Sequence, residues 1–351
     1  MTQVATRIPR WLASLPVKDG SYCISDARRF AHDEEKYDAQ YASDPGNVKV
    51  GKGLVELLKQ CGADFSGPAL EVGCGTGLLS LGFAAESPYP LTIFTDPSPV
   101  FLRITRKKIQ SAGIDEERLA YAVLMGEEID RLPPASVSLI VLRSTLHHIL
   151  DVDQFIRDAA RALKPGGVLT FEEPCLEGYV LMGAMIQFLP TAARAAGKPL
   201  TEKQLEQVDL FIRTMAFYAR RDLDKRQAED KHLFRVDELM RTGAECGLSV
   251  EFRANRSYEA FAEPESPRDS FVSYMRKLVT SPFEPPEKKR EGLAWYRRFM
   301  RSYAKYCMSW DDGLVAAFDE FMPHYCRYVE DASMGGSGPY LHGVFLCRKR
   351  D

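Results

Sequence analysis

The feature that most restricts the fold is a glycine-rich segment, Leu70-Glu-Val-Gly-Cys-Gly-Thr-Gly-Leu-Leu79. It follows a short apolar run and precedes a helix-like stretch, 78–85, so it reads as a turn between a strand and a helix. Glycine lets the main chain come close to a ligand. Free amides at the helix start favour an anionic or zwitterionic group. We therefore predict a strand–turn–helix unit that binds a charged ligand; the alternative is a tight turn without one.

Apolar runs bounded by turn residues recur through the middle of the chain and predict an α/β fold. Helix-like stretches of about a dozen residues separate them, as in βαβ units around a buried parallel sheet. Two further strand candidates follow later, which makes seven. The seven runs are 69–72, 91–95, 120–124, 137–142, 168–171, 248–252 and 340–347. The prediction is a doubly wound, seven-stranded, mostly parallel sheet with a largely helical cap.

Breaks in this alternation predict the domain organisation. Residues 1–49 are expected to form an N-terminal helical lid segment, 50–174 the Rossmann-like core, and 175–235 a helical insertion that contains the capping box Thr201 to Gln204. Residues 236–261 return to the core, 262–337 form a second helical insertion, and 338–351 supply the final strand. The second insertion contains Trp295, Phe299, Tyr303 and Tyr306 at helical spacing.

Composition narrows the function. The 46 Lys and Arg residues nearly balance 49 Asp and Glu, which predicts no nucleic-acid partner. No stretch has the length and apolarity of a membrane span or a secretory signal, so we expect a cytoplasmic location and no membrane partner. The sequence leaves open whether the protein is a monomer or a homodimer. The eight cysteines form no C-x-x-C pair. His324 and Cys326 lack a second ligand pair, so we expect no metal.

The spacing of the glycines distinguishes two ligand classes. A dinucleotide fingerprint, G-x-G-x-x-G, would need glycine at position 78, where this chain has Leu78. The pattern acid-x-G-x-G-x-G instead resembles the first motif of class I S-adenosylmethionine (SAM)-dependent methyltransferases. That resemblance implies SAM as the cofactor. It also implies that the residues around its methionine half are Glu71, Gly73, Cys74, Gly75 and Gly77.

Further motifs extend the resemblance over about residues 50–174. Asp96, followed by Pro97, ends a strand candidate nineteen residues beyond Gly77, where an acidic side chain can accept both ribose hydroxyls. Read alone, an aspartate there is a helix cap. The segment 123–133 is similar to the family segment that meets the adenine, which implies contacts from Glu127 and Glu128. The segment 137–149 resembles the fourth strand and its loop, which implies that Arg143 and Ser144 lie beside the cofactor.

Three residues are candidates for acid–base chemistry because methyl transfer to a hydroxyl or an ammonium benefits from a general base. His147 and His148 follow the fourth strand at the edge where open α/β sheets bind ligands. Glu172 and Glu173 end the fifth strand, and since strand side chains alternate, we expect one of them, Glu173, to face the pocket. The competing interpretation is that the histidines cap a helix or pack beneath the cofactor, and that Glu173 is an ordinary surface carboxylate.

The predicted function is therefore methyl transfer to a small organic acceptor. Aromatic and methionine residues are abundant in the accessory segments, which suits an apolar pocket, although most of them are expected to form the core of the cap. They include Tyr37, Tyr41, Met182, Met185, Phe188, Phe211, Phe217 and Tyr218. The alternatives are a methyltransferase acting on RNA or protein, and a SAM-binding protein without transfer activity.

Overall fold

The computed structural model describes residues 8–28, 38, 48–220, 223–226, 230–263, 276, 310–332 and 340–350. Their centre is one nine-stranded sheet in the order β1-β2-β5-β4-β3-β6-β7-β9-β8. The strands are β1 (Val17–Lys18), β2 (Ser21–Cys23), β3 (Ala69–Val72), β4 (Thr92–Asp96), β5 (Leu119–Val123), β6 (Val137–Arg143), β7 (Leu163–Pro174), β8 (Leu248–Ala254) and β9 (His342–Lys349).

The helices precede, separate and follow these strands. They are α1 (Arg10–Ala13), α2 (Val48–Gln60), α3 (Ser80–Glu86), α4 (Pro99–Ser111), α5 (Val152–Ala162), α6 (Leu176–Ile186), α7 (Leu189–Ala195), α8 (Glu202–Ala219), α9 (Val236–Glu245), α10 (Glu259–Ala262) and α11 (Asp312–Ala332). Two short 3-10 turns, Gly126–Arg131 and Leu146–His148, follow β5 and β6. Within the described residues, no helix has both the length and the apolar character needed to cross a membrane.

The predicted doubly wound, mostly parallel sheet is confirmed. β2, β5, β4, β3, β6 and β7 run parallel to one another in that order, whereas β1 is antiparallel to β2. All four residues of β3 are buried, as expected for a strand covered on both faces. The chain order reverses at β3, between β4 and β6, so this is where a ligand crevice is expected at the carboxyl ends of the strands.

The predicted number of strands, seven, is wrong because β1 and β2 add two more. Both lie in the segment 1–49 that the sequence assigned to a helical lid. They contain two and three residues, too few for a hydrophobic period to be read from the sequence. What makes β2 a strand is its pairing with β5, where Tyr22 lies opposite Ala122 and Cys23 opposite Val123.

The chain divides into two compact units, and the first contains the sheet. It comprises residues 1–173, 236–267 and 344–351. Its core packs α2, α3 and the central strands through fully buried apolar side chains such as Leu54, Phe83 and Phe94. Helix α4 begins with Ser98, whose Oγ accepts a hydrogen bond from the Phe101 amide, and with proline at its first position.

The second unit comprises residues 174–235 and 268–343, and its described part is mainly helical. The predicted capping box is present, since Thr201 and Gln204 exchange side-chain and backbone hydrogen bonds. Among the accessory apolar residues that the structure describes, Met182, Met185 and Phe211 form part of this unit's own core, whereas Phe188 is exposed. The side chain of Tyr218 and the residues Tyr37, Tyr41, Trp295, Phe299, Tyr303 and Tyr306 lie outside the described part.

Candidate active site

The glycine turn has a backbone that requires glycine. Gly73, Gly75 and Gly77 all have positive φ angles, of 72°, 52° and 91°. A Cβ at Gly73 would collide with the side chain of Thr145, whereas a Cβ at Gly75 would meet nothing within 4 Å. Gly73 is therefore needed for packing. Gly75 borders open space, into which a ligand could fit.

Two side chains of α4 donate hydrogen bonds to the main chain of this turn. Thr105 donates from Oγ1 to the carbonyl oxygen of Gly75 at 2.9 Å, and Lys108 donates from Nζ to the carbonyl oxygen of Thr76 at 3.0 Å. Lys108 also forms an ion pair with Asp38. The amide of Cys74 donates to the carbonyl oxygen of Thr95, the next-to-last residue of β4. The turn is thus fixed in one conformation by residues that the sequence analysis did not single out.

Glu71, at the end of β3, is a buried carboxyl group beside this turn. Burial raises its pKa to about 8; the hydroxyl of Ser80 acts against this rise, the nearby carboxylate of Asp96 adds to it, and Arg143 opposes it. Its Oε2 atom has no hydrogen-bond partner among the described residues. A buried acceptor without a partner is costly, so this position fits a ligand cation such as an ammonium group.

Asp96 is buried and shapes the turn directly. Its Oδ2 accepts a hydrogen bond from the Gly75 amide at 2.9 Å, and its Oδ1 accepts one from the Ser98 amide at 2.8 Å. The carboxylate therefore joins the carboxyl end of β4 to the turn after β3. The carbonyl oxygen of Pro97 accepts from the amide of Arg28 at 2.9 Å.

Glu127 and Glu128 lie in the 3-10 turn after β5. Glu127 is exposed, and its Oε1 accepts from the Leu150 amide at 3.3 Å. Glu128 forms an ion pair with Arg131 at 3.2 Å. This turn and Asp96 both follow the carboxyl ends of adjacent parallel strands, so the structure brings the predicted ribose and adenine contacts to one edge of the sheet.

Arg143 is engaged by two carboxylates. Its Nη2 lies 2.9 Å from Oε1 of Glu259, and its Nε lies 3.5 Å from Oε2 of Glu172. Burial alone would lower the pKa of the guanidinium, but Glu172 and Glu259 outweigh it and raise that pKa. The amide of Ser144, which has a φ of 50°, donates to the carbonyl oxygen of Glu172. The resemblance predicted neither acidic partner.

Glu173 organises the segment after β6. Its side chain is fully buried, and its Oε1 accepts hydrogen bonds from the amides of Thr145 and Leu146 at 2.8 and 2.6 Å. Its Oε2 lies 2.6 Å from Nδ1 of His147. Oγ1 of Thr145 in turn lies 3.3 Å from the carbonyl oxygen of Gly73 and 3.0 Å from that of Arg143, which share its hydrogen. Glu173 thus connects the end of β7 to the glycine turn.

The two histidines are stacked obliquely, with ring centroids 4.1 Å apart. The His147 side chain is 13% exposed and is oriented by Glu173. The hydrogen bonds of Glu173 to the amides of Thr145 and Leu146 and to the His147 ring suit a residue that orients another side chain. Because neighbouring side chains of a strand point to opposite faces of the sheet, Glu172 pairs with Arg143 whereas Glu173 pairs with His147.

Sequence reasoning missed the residues that support the site from behind. Thr105, Lys108, Thr145 and Ser25 carry no motif, because their roles depend on contacts between segments far apart in the chain. A weak signal was available for Thr145, which stands just before the histidine pair at the end of a strand candidate.

Comparison with known proteins agrees with this arrangement. Residues 70–169 match the model of a family described as a methyltransferase domain. Residues 70–169 are therefore a methyltransferase domain, in agreement with the resemblance of this segment to class I SAM-dependent methyltransferases.

The similar curated proteins are diverse. A thiol S-methyltransferase of Homo sapiens is 31% identical over 41% of this chain and 60% of its own length. A malonyl-[acyl-carrier protein] O-methyltransferase of Haemophilus ducreyi is 28% identical over 41% of this chain and 54% of its own length. A reducing polyketide synthase of Preussia isomera is 30% identical over 40% of this chain. The matched region spans 6% of that synthase, and at most 60% of any of the three.

Proposed function

We propose that this protein transfers a methyl group from SAM to a small organic acceptor whose nucleophilic atom carries a proton. One observation carries the proposal: His147 is oriented by the buried carboxylate of Glu173. The segment that holds His147 contacts the glycine turn through Thr145 and Gly73. A candidate base and a candidate cofactor turn therefore belong to one hydrogen-bonded assembly.

The hydrogen bonds of Glu173 favour one tautomer of the His147 ring. Its Oε1 already accepts two amide hydrogens, as an ionised carboxylate does, so its Oε2 is best matched by a proton on Nδ1 of His147. A neutral imidazole with a proton on Nδ1 carries its lone pair on Nε2. His147 would take the acceptor's proton there, and the charge that develops on the ring would be stabilised by Glu173.

The residues around the turn fit the cofactor. Glu71 offers a buried carboxyl group for an ammonium, the open side of Gly75 admits a ligand against the main chain, and Asp96 offers carboxylate oxygens for hydroxyl groups. When bound, SAM supplies a methyl group that is attached to a positively charged sulfonium. Transfer is favourable because the rest of the cofactor leaves as a neutral thioether. The protein's part is then to orient the acceptor, exclude water and remove a proton.

The names of the relatives suggest which acceptors to test. One relative is named for thiols and another for a malonyl group on a carrier protein. A thiol carries a proton that a base must remove, whereas the free carboxyl group of a malonyl thioester is already ionised near neutral pH. We therefore propose thiols as the first acceptor class and use the malonyl carboxylate as a comparison whose methylation needs no base.

The experiment is transfer of a radiolabelled methyl group from SAM to an alkanethiol and a malonyl thioester, with bulk transfer RNA and mixed protein as further arms. We expect label in a small acceptor. His147→Asn and Glu173→Gln should lower kcat by about 10²- to 10⁴-fold, the usual contribution of a positioned base. In the glutamine variant an amide N–H would face Nδ1 and favour the opposite tautomer.

The matched control is His324→Asn, which changes an exposed histidine on α11 and should leave kcat unchanged. Full turnover by His147→Asn would reject the base assignment. Label only in RNA or protein would replace the small acceptor with a macromolecule. Tight binding of SAM with no transfer to any arm would show a binding protein instead.

A further inference from the structure

The segment that follows β2 crosses the carboxyl ends of two neighbouring strands. The amides of Ile24 and Ser25 both donate to the carbonyl oxygen of Val123, the last residue of β5, at 3.1 and 3.0 Å. Further on, the amide of Arg28 donates to the carbonyl oxygen of Pro97, which directly follows β4. The main chain from Ile24 to Arg28 is therefore held from the end of β5 to the end of β4.

Two contacts also connect this segment to the 3-10 turn after β5. Oγ of Ser25, a residue only 5% exposed, accepts a hydrogen bond from the Met125 amide at 2.9 Å. Arg131, the last residue of the turn, donates from Nη1 to the carbonyl oxygen of Ile24 at 2.6 Å. Both ends of the turn that contains Glu127 and Glu128 are thus fixed by residues 24 and 25.

Ligands of open α/β sheets bind outside the carboxyl ends of the strands, next to the reversal of strand order. In this protein Asp96, the 3-10 turn after β5 and residues 24–28 all lie at that edge. We propose that residues 24–28 form the outer wall of the site for the purine nucleoside half of the cofactor, and that Ser25 is its positioning residue. This inference rests on the proposed function, since the nucleoside belongs to SAM.

The physical basis is the Met125 amide. Without the Ser25 hydroxyl this part-buried amide loses its acceptor, and the start of the turn is no longer fixed against β2. A nucleoside held between Asp96 and the turn would then meet a less ordered wall. The amino-acid end of the cofactor, beside Glu71 and Gly75, would be unaffected.

The test compares two probes by calorimetric titration: S-adenosylhomocysteine, and 5′-methylthioadenosine, which lacks the amino-acid end. Ser25→Ala should weaken the binding of both probes by the same factor, about 3- to 10-fold, as expected for the loss of one hydrogen bond. It should raise the KM for SAM and leave kcat unchanged. Ser25→Thr retains a hydroxyl and should restore affinity. Ser14→Ala removes an exposed serine hydroxyl's bond to Trp11 and should change neither titration.

If Ser25→Ala lowers Tm but leaves the affinity for both probes unchanged, the inference is overturned. The segment would then only stabilise the fold. Weaker binding of S-adenosylhomocysteine alone would also overturn it, by placing the effect at the amino-acid end. Wild-type protein that binds both probes but methylates nothing contradicts the proposed reaction, while the Ser25 result still supports the wall.

Discussion

Oδ2 of Asp96 accepts a hydrogen bond from the amide of Gly75 at 2.9 Å, so one carboxylate joins the end of β4 to the middle of the glycine turn. Its Oδ1 accepts a hydrogen bond from the amide of Ser98, the residue that caps α4. Of the two roles that the sequence suggested for Asp96, the helix cap is taken by Ser98, and Asp96 instead connects β4 to the glycine turn.

Replacing Asp96 should consequently affect binding and stability together. Asp96→Ala should weaken S-adenosylhomocysteine affinity by about 1–3 kcal/mol through lost hydrogen bonds, and it should lower Tm because the Gly75 and Ser98 amides lose their acceptor. Asp96→Asn keeps one side-chain oxygen, so its affinity and its Tm should lie between those of the wild-type protein and those of Asp96→Ala. Titration calorimetry and thermal melting measure these effects. A change in turnover alone, with binding and melting intact, would contradict the assignment.

Gly75 and Gly73 should respond differently to alanine. Gly75→Ala places a Cβ in open space, so it should cost about 1–2 kcal/mol of stability from its positive φ while lowering S-adenosylhomocysteine affinity about tenfold or more. Gly73→Ala should destabilise the protein further, because its Cβ meets Thr145. Urea unfolding and calorimetry separate the two effects.

A matched control exists for the strain. Gly113, just beyond α4, has a φ of 70° and open space at its Cβ position, so Gly113→Ala should cost similar stability without changing affinity. Equal affinities for the Gly75 and Gly113 variants would mean that the open side of the turn does not face the cofactor.

The buried carboxyl of Glu71 predicts a pH dependence. Its pKa is about 8 in the folded protein and near 4.5 when unfolded, so the stability of ligand-free protein should fall as pH rises from about 4.5 and level off above about 8. If the ionised form binds an ammonium, affinity for S-adenosylhomocysteine should rise from pH 6 to 8. Glu71→Gln should remove both trends; their persistence in that variant would place the titrating group elsewhere.

Arg143 should matter mainly for stability. Arg143→Ala would leave Glu172 and Glu259 without their cation, at a cost on the order of 3 kcal/mol as for a broken buried pair. The exposed ion pair of Arg253 with Glu251 is a suitable control, since Arg253→Ala should change stability by less than about 1 kcal/mol. Equal unfolding free energies for the two variants would contradict this.

Local patterns were sufficient where neighbours in sequence decide the outcome. The apolar run 69–72 and the glycines after it predicted β3 and its turn, since burial on both faces and positive φ each restrict residue type directly. The capping box at Thr201 is equally local. The strand β2 was missed because three residues carry no readable period, and only the edge of β5 makes them a strand.

By itself the sequence determined the parallel sheet, the glycine turn and the set of acidic and histidine side chains at its edge, because these follow from residue type and spacing. Only the tertiary structure decided how those side chains are paired: Glu173 with His147, Arg143 with Glu259, and Ser25 with Met125. The physical reason is the distance along the chain between the paired residues. Each pair joins residues far apart in the chain, and a hydrogen bond depends on ångström distances that no spacing in sequence encodes.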